Sequence, residues 1–308
     1  MKYIAPDGGQ EMMLEDASGR LRLTGETLKN QLLITGCVIA ALGTENADGA
    51  FEVADIKVAD FPPQPARTLS NVAATDGNGK SAKEDGHVSN KVMIISGLEF
   101  DGQSAAVLAH EMLQDYLIGE AERSERQPDT GRIVRLIVAG NSLANASPIL
   151  SREEFDDWRI THKTYGHDAF RYNEEPCEQL DGFLADLLPH VPITLLPGET
   201  DPTNVSLPQQ PIHPAMLPRC KPYSSGPPQP TTGKFLTPAS FDCVTNPWEG
   251  DIDGLRFLGT GGQPITDAFK YIDGEDSLQM MEHVLRWRVC APTAPDTLCK
   301  LNSHLTKL

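Results

Sequence analysis

The sequence predicts a mixed α+β and α/β chain: a small β barrel followed by a β-α-β domain built on a parallel sheet. Three observations predict it. Short apolar runs separated by turn residues fill the first 60 positions, and apolar strands alternate with helix-periodic stretches from position 91 onward. One strand, at 191–196, runs directly into a long proline-rich polar loop. With 26 glycines and 24 prolines, the composition favours shaped loops over a helix bundle.

In the barrel, Met13 and Leu14 followed by Asp16, Ser18 and Gly19 read as a strand and turn, and Leu21 and Leu23 alternate with Arg22 and Thr24 as a half-buried second strand. Leu32 to Leu42 reads as a third strand, with Gly36 inside it marking a bulge or a close backbone approach. A turn at Asn46 to Gly49 leads to Phe51, Val53 and Ile56. Short strands at this spacing suggest a small barrel, one strand short at its beginning. Prolines 62, 63 and 65 mark the exit, and residues 66–90 are too poor in apolar side chains to repay ordering, so they read as a disordered linker or insertion.

The second domain opens on the strand Lys91 to Ser96, ended by Gly97. Gln103 to Leu117 has helical periodicity, with Ala105, Leu108, Met112, Leu113, Tyr116 and Leu117 expected to share one face. Arg132 to Ala139 is a buried strand ended by Gly140-Asn141, which implies a parallel pair with a right-handed crossover. Ser151 with Glu154 three positions on is a helix start, and Leu180, Phe183, Leu184 and Leu187 stripe a further helix that feeds the strand at Val191. A strand near Phe241, the turn Asn246-Pro247-Trp248 and a second strand, IDGLRFL, follow. The helix Glu275 to Arg288 is expected to turn Leu278, Met281 and Leu285 inward. Residues 299–308 complete no element.

A formal charge of −17 argues against independent binding to DNA or RNA, whose phosphates need a positive surface. Six scattered cysteines without a Cys-x-x-Cys pair speak against a zinc ribbon or iron-sulfur cluster and read as free thiols. No apolar window reaches transmembrane length, and no membrane role is expected. Thr260-Gly261-Gly262 lacks the lysine of a phosphate loop, and Ser142 lacks the Gly-x-Ser-x-Gly elbow of a serine hydrolase.

The turns at Gly97, Gly140 and Gly198 end successive strands and are expected to converge on one sheet edge, where α/β folds place their sites. A two-metal phosphoesterase uses oxygen and imidazole ligands at such turns to hold two cations about 3.5 to 4 Å apart across a phosphate. Here the turns read Ser-Gly-Leu-Glu at 96–99, Gly-Asn-Ser at 140–142 and Gly-Glu-Thr-Asp at 198–201, and none contains a histidine. Asp201 and Asn204 admit two readings: metal or acid/base groups, or side chains that satisfy loop N–H groups. A degenerate, divalent-metal-dependent phosphodiesterase would draw on Asn141, Glu199 and Asp201. His162 and His167, five apart, are the other metal candidates.

Four stretches carry a more specific signal: VPITLLPGETDPTNVSLPQQPIHPAMLP from Val191, TNPWEGDIDGLRFLGTGG from Thr245, APTAPDTL from Ala291 and RIVRLIVAGNSLA from Arg132. Together they resemble the family of second, non-catalytic subunits of eukaryotic DNA polymerase delta. LEDASGRLRLTG and LITGCVIAALGTE resemble that family's OB domain. The resemblance implies a partial OB barrel at 1–65, the linker at 66–90, an inactive calcineurin-like phosphoesterase domain at 91–298 that is incomplete at its C-terminus, and an atypical tail at 299–308. It implies a nuclear scaffold without cofactor or catalysis. Such a scaffold holds the C-terminal cysteine-rich domain of the catalytic subunit and, by its OB side, a third accessory subunit, and meets DNA only indirectly. Gly198, Glu199, Asp201, Pro202, Asn204, Gln209 and Gln210 match the family's most recognisable loop, with a structural or partner role, and Gly97, Gly140 and Asn141 stand at degenerate strand-end positions. The family chain also has more sequence before the OB strands and a further block after APTAPDTL.

Overall fold

A computed structural model describes residue 3 and residues 11–63, 90–102, 107–121, 130–144, 174–224, 240–252, 254–272, 274 and 276–298. The expected linker up to residue 89, the helix at Ser151, His162, His167 and the tail from 299 lie outside the described residues. The chain gathers into two compact units, Met1–Ala66 with Gly262–Leu308, and Arg67–Gly261.

In the first unit, β1 (Met12–Asp16) and β2 (Gly19–Thr24) form a hairpin, because Asp16 Oδ1 accepts from the amides of Ser18 and Gly19 and closes the turn. With β3 (Ile39–Glu45) and β4 (Phe51–Val58) they make a sheet of order β1-β2-β4-β3. Leu23, Val53 and Ile56 form one buried cluster with Leu28; Val53 and Ile56 have opposite parity, and the extra residue Ala54, at the register shift against β3, brings both to the same face. The expected strand at Leu32 to Leu42 is corrected: only its second half pairs, and the register shift falls between Leu42 and Gly43. The reason is a competing core. Ile34 is buried with Ala268, Met280, Val284 and Trp287, and Leu32 and Cys37 pack beside them. Gly36, at φ +86°, lies so close to the carbonyl of Pro292 that a Cβ there would overlap it. Of the two expectations for Gly36, the close approach holds and the bulge lies elsewhere.

The segment that supplies this core is α-helical. We label Gln263–Ala268 as α3 and Ser277–Trp287 as α4, reserving α1 and α2 for the second unit. The Asp276 side chain caps α4 by accepting from the amides of Leu278 and Gln279. Its inner face is Met280, Val284 and Trp287, while Leu278, Met281 and Leu285 are exposed, so the expected inner stripe is corrected. Residues 294–298 form one π-helical turn, fastened by Asp267. That carboxylate is buried, accepts from the hydroxyls of Thr293 and Thr297, and pairs with Lys270 Nζ at 2.5 Å.

Burial pushes the Asp267 carboxyl up, but its bonds to Lys270, Thr293 and Thr297 outweigh that and hold it below the usual range. A depressed carboxyl stabilises the fold above the unfolded-state value, near pH 4, and ceases to do so as pH falls through the folded value. Urea midpoints should therefore show Asp267→Asn less stable than the parent by about 2 kcal/mol at pH 7. The gap should narrow as the pH is lowered toward 3; a gap of constant size would contradict this.

In the second unit, β5 (Lys91–Ile95), β6 (Ile133–Ala139), β7 (Ile193–Leu196) and β8 (Phe241–Cys243) form a parallel sheet in that order. Leu136, Val138, Ile193 and Leu195 face a core closed by α1 (Val107–Ile118) and α2 (Glu175–Leu187), which buries Leu180, Phe183, Leu184 and Leu187 as expected. The inner side of α1 is Leu113, Leu117 and His110, and Leu108, Met112 and Tyr116 are exposed. The opposite sheet face, with Ile137 and Leu196, is covered by a hairpin of β9 (Trp248–Ile252) and β10 (Leu255–Gly259). The expected single strand IDGLRFL is corrected: Ile252 ends β9 and Leu255 opens β10, and Asp251 Oδ1 accepts from the Gly254 amide in the turn between them. A sheet buried on both faces requires the near-continuous apolar runs seen at 133–139 and 193–196. Among the described residues no helix is long and apolar enough to cross a membrane.

Candidate functional site: a strand-end hydrogen-bond clasp

The carboxyl ends of β5, β6, β7 and β8 open onto one group of loops. Gly97, at φ +70°, donates its amide to the Gly140 carbonyl at 3.2 Å, and Ser96 Oγ donates to the Ala139 carbonyl. Gly140, at φ +82°, sits on Gly198: a Cβ on Gly140 would come within 2.9 Å of the Gly198 Cα. A Cβ on Gly198 would overlap the amide and side chain of Asn141. Gly140 and Gly198 let the ends of β6 and β7 approach more closely than any side chain permits, whereas at Gly97 it is the positive φ that favours glycine.

Polar groups fill the remaining space. Asn141, at φ +55°, accepts at Oδ1 from the amides of Glu199 at 2.9 Å and Thr200 at 3.4 Å. Asp201, 5 % exposed, accepts at Oδ2 from the Gly198 amide at 2.7 Å and at Oδ1 from the Leu143 amide at 3.0 Å, and the nearby amides of Ser142 and Asn141 add to the positive field around it. Burial pushes its carboxyl above the usual range, and the four backbone N–H groups pull it part of the way back.

Gln209, 2 % exposed, spans the loop. Its Nε2 donates to the carbonyls of Gly198 and Asn204, and its Oε1 accepts from Asn246 Nδ2 at 2.8 Å. The exposed Asn204 ties the far turn, donating to the carbonyls of Ser206 and Pro208 and accepting from the Gln210 amide at 2.6 Å. Half-buried Pro202 follows Asp201 in the turn, and the side chains of Glu199 and Gln210 are exposed. The structure thus brings Gly97, Gly140, Asn141, Gly198, Asp201, Asn204 and Gln209 into one connected group.

Asn246 belongs to this group, although its local sequence marks it only as a turn former. It is fully buried, donates to the Pro197 carbonyl, and accepts at Oδ1 from the Gly261 amide. The available signal was its position at the end of β8, the fourth strand of the same sheet.

This donor set does not fit two divalent cations. Both Asp201 oxygens and the Asn141 oxygen point into amides, three described histidines bond or stack elsewhere, and the exposed His190 precedes β7, at the opposite end of that strand. His110 bonds the Leu98 carbonyl and stacks on Phe100, His213 accepts from the Ala215 amide, and His283 stacks on Trp287. Among the described residues no group of three or more His, Cys, Asp or Glu side chains is placed to hold a metal. Nor are the buried thiols poised for chemistry: burial pushes Cys243 up to about 12 and raises Cys220 further.

An OB-type sheet in one unit and, in the other, a phosphoesterase-like sheet whose strand-end residues bond one another define a class: an OB domain joined to a calcineurin-like fold, with no two-metal donor set among the described residues. The chain belongs to the family of DNA polymerase accessory subunits of the B type. Residues 92–307 match the family of DNA polymerase alpha/epsilon B subunits, and residues 1–56 match the DNA polymerase delta subunit OB-fold domain. It is 33 % identical over 296 residues to the DNA polymerase delta small subunits of Arabidopsis thaliana and Oryza sativa subsp. japonica. To the small subunit of Saccharomyces cerevisiae it is 29 % identical over 323 residues. These matches cover 96 % of this chain and 58 to 59 % of the relatives, so the chain spans somewhat over half their length.

Proposed function

We propose that the chain is a non-catalytic accessory and scaffold subunit of the replicative DNA polymerase delta complex, acting in the nucleus. It holds the catalytic subunit through that subunit's C-terminal cysteine-rich domain and a third accessory subunit through its OB side, and it reaches DNA only through them. The observation that carries this reading is the inward use of Asn141 and Asp201, two of the three side chains a phosphodiesterase would draw on for cations. Family membership supplies the polymerase context. The net charge of −17 fits a subunit that does not grip the duplex itself.

Co-expression with the catalytic subunit should give a complex that survives gel filtration, and the isolated cysteine-rich domain should retain the chain on a column. Failure of both would overturn the scaffold reading. In a separate assay, manganese should neither raise the melting temperature nor support hydrolysis of a phosphodiester. Turnover that disappears in Glu199→Gln, an exposed change, would instead establish an enzyme.

A further inference from the structure

We propose that the strand-end clasp encloses ordered water, held by the hydroxyls of Ser142, Thr200 and Thr203. The Oγ of Ser142 and the Oγ1 atoms of Thr200 and Thr203 are buried and meet no hydrogen-bonding group of the protein. All three residues join the clasp through their backbones. The Ser142 carbonyl accepts from the Phe100 amide at 3.0 Å beside Leu143, whose amide bonds the Asp201 carboxylate; the Thr200 amide lies 3.4 Å from Asn141 Oδ1, and the Thr203 amide donates to the Asp201 carbonyl at 2.7 Å. Buried hydroxyls without a partner are rare, because removal from water costs them a bond that folding must replace. Three on the turns that meet at Asp201 mark places where the partner is solvent, since internal waters typically make about three bonds to such groups.

The chemistry selects water over a cation. A hydroxyl proton needs an acceptor, which a cation is not. The amides of Asn141, Ser142, Leu143 and Gly198 also converge on Asp201 with their positive ends, so they disfavour a second positive charge. Water accepts and donates, and so completes a loop whose side chains alone leave these hydroxyls unpaired. This inference goes beyond the scaffold reading, because it holds whether or not the polymerase subunits bind.

The test is a crystal structure of the full chain, alone or with its catalytic subunit, at a resolution that shows solvent, combined with melts of Ser142→Ala, Thr200→Val and Thr203→Val. The expected result is solvent density within hydrogen-bonding distance of at least two of the hydroxyls, and melting temperatures lowered by about 2 to 4 °C where density is seen. Three outcomes would overturn it: no such density, density at the shorter distances of about 2.0 to 2.6 Å that metal–oxygen bonds take, or melting temperatures unchanged or raised in all three variants.

Discussion

Replacing Asp201 by alanine should cost about 3 to 5 kcal/mol, because two or more buried amides would each lose an acceptor worth about 1 to 3 kcal/mol. The carboxylate stands between the end of β6, through Leu143, and the turn after β7, through Gly198, so its loss parts two strand ends that the glycines had brought together. Asp201→Asn should lose less. It keeps the volume and one acceptor oxygen, but turns an NH₂ group toward an amide that also donates. Urea unfolding gives the free energies, and hydrogen exchange at the Gly198 and Leu143 amides locates the damage. A loss below about 1 kcal/mol with both amides still protected would show that Asp201 does not hold the clasp. Glu199→Ala is the control: its side chain is exposed, and surface changes of this kind fall within about 0.5 kcal/mol.

The sequence made the position of this loop legible and left its internal bonding undecided. Buried strands ending in Gly97, Gly140-Asn141 and Gly198 could be placed side by side from their apolar runs alone. Whether Asp201 faced a cation or an amide depended on distances between segments some 58 positions apart, which no local spacing encodes. Asn246 shows the same limit from the other side. As a residue before Pro247 it reads as a turn former, and only the pairing of β8 with β7 places it beside Gln209.

The helices show where periodicity alone misleads. In α1 and α4 the apolar residues outnumber what one face can hold, so two frames of helical spacing compete in each. The wrong frame in α1, Leu108, Met112 and Tyr116, is about as apolar as the right one. In the first unit, the strand expected at Leu32 to Leu42 fails for a related reason: Ile34 finds a core contributed by residues some 230 to 250 positions later. Tertiary contacts override a local β pattern in that way.

The frame of α4 yields the second large expected effect. Trp287→Ala should cost about 3 to 5 kcal/mol, the range for deleting a buried aromatic side chain together with the cavity left behind. Trp287 is 2 % exposed, packs in one cluster with Ile34, Ala268, Met280 and Val284, and stacks on His283 at 5.6 Å between ring centroids. Leu285→Ala, two positions away and 51 % exposed, should change stability by about 0.5 kcal/mol or less. The contrast separates the two frames, since an inner stripe of Leu278, Met281 and Leu285 would reverse the order of the two losses. Urea midpoints of the two variants decide it, and equal losses would mean that α4 buries both faces. Because the same cluster anchors Ile34 beside Gly36, the Trp287→Ala protein should also lose amide protection at residues 34–37, well before the paired strands β3 and β4 open.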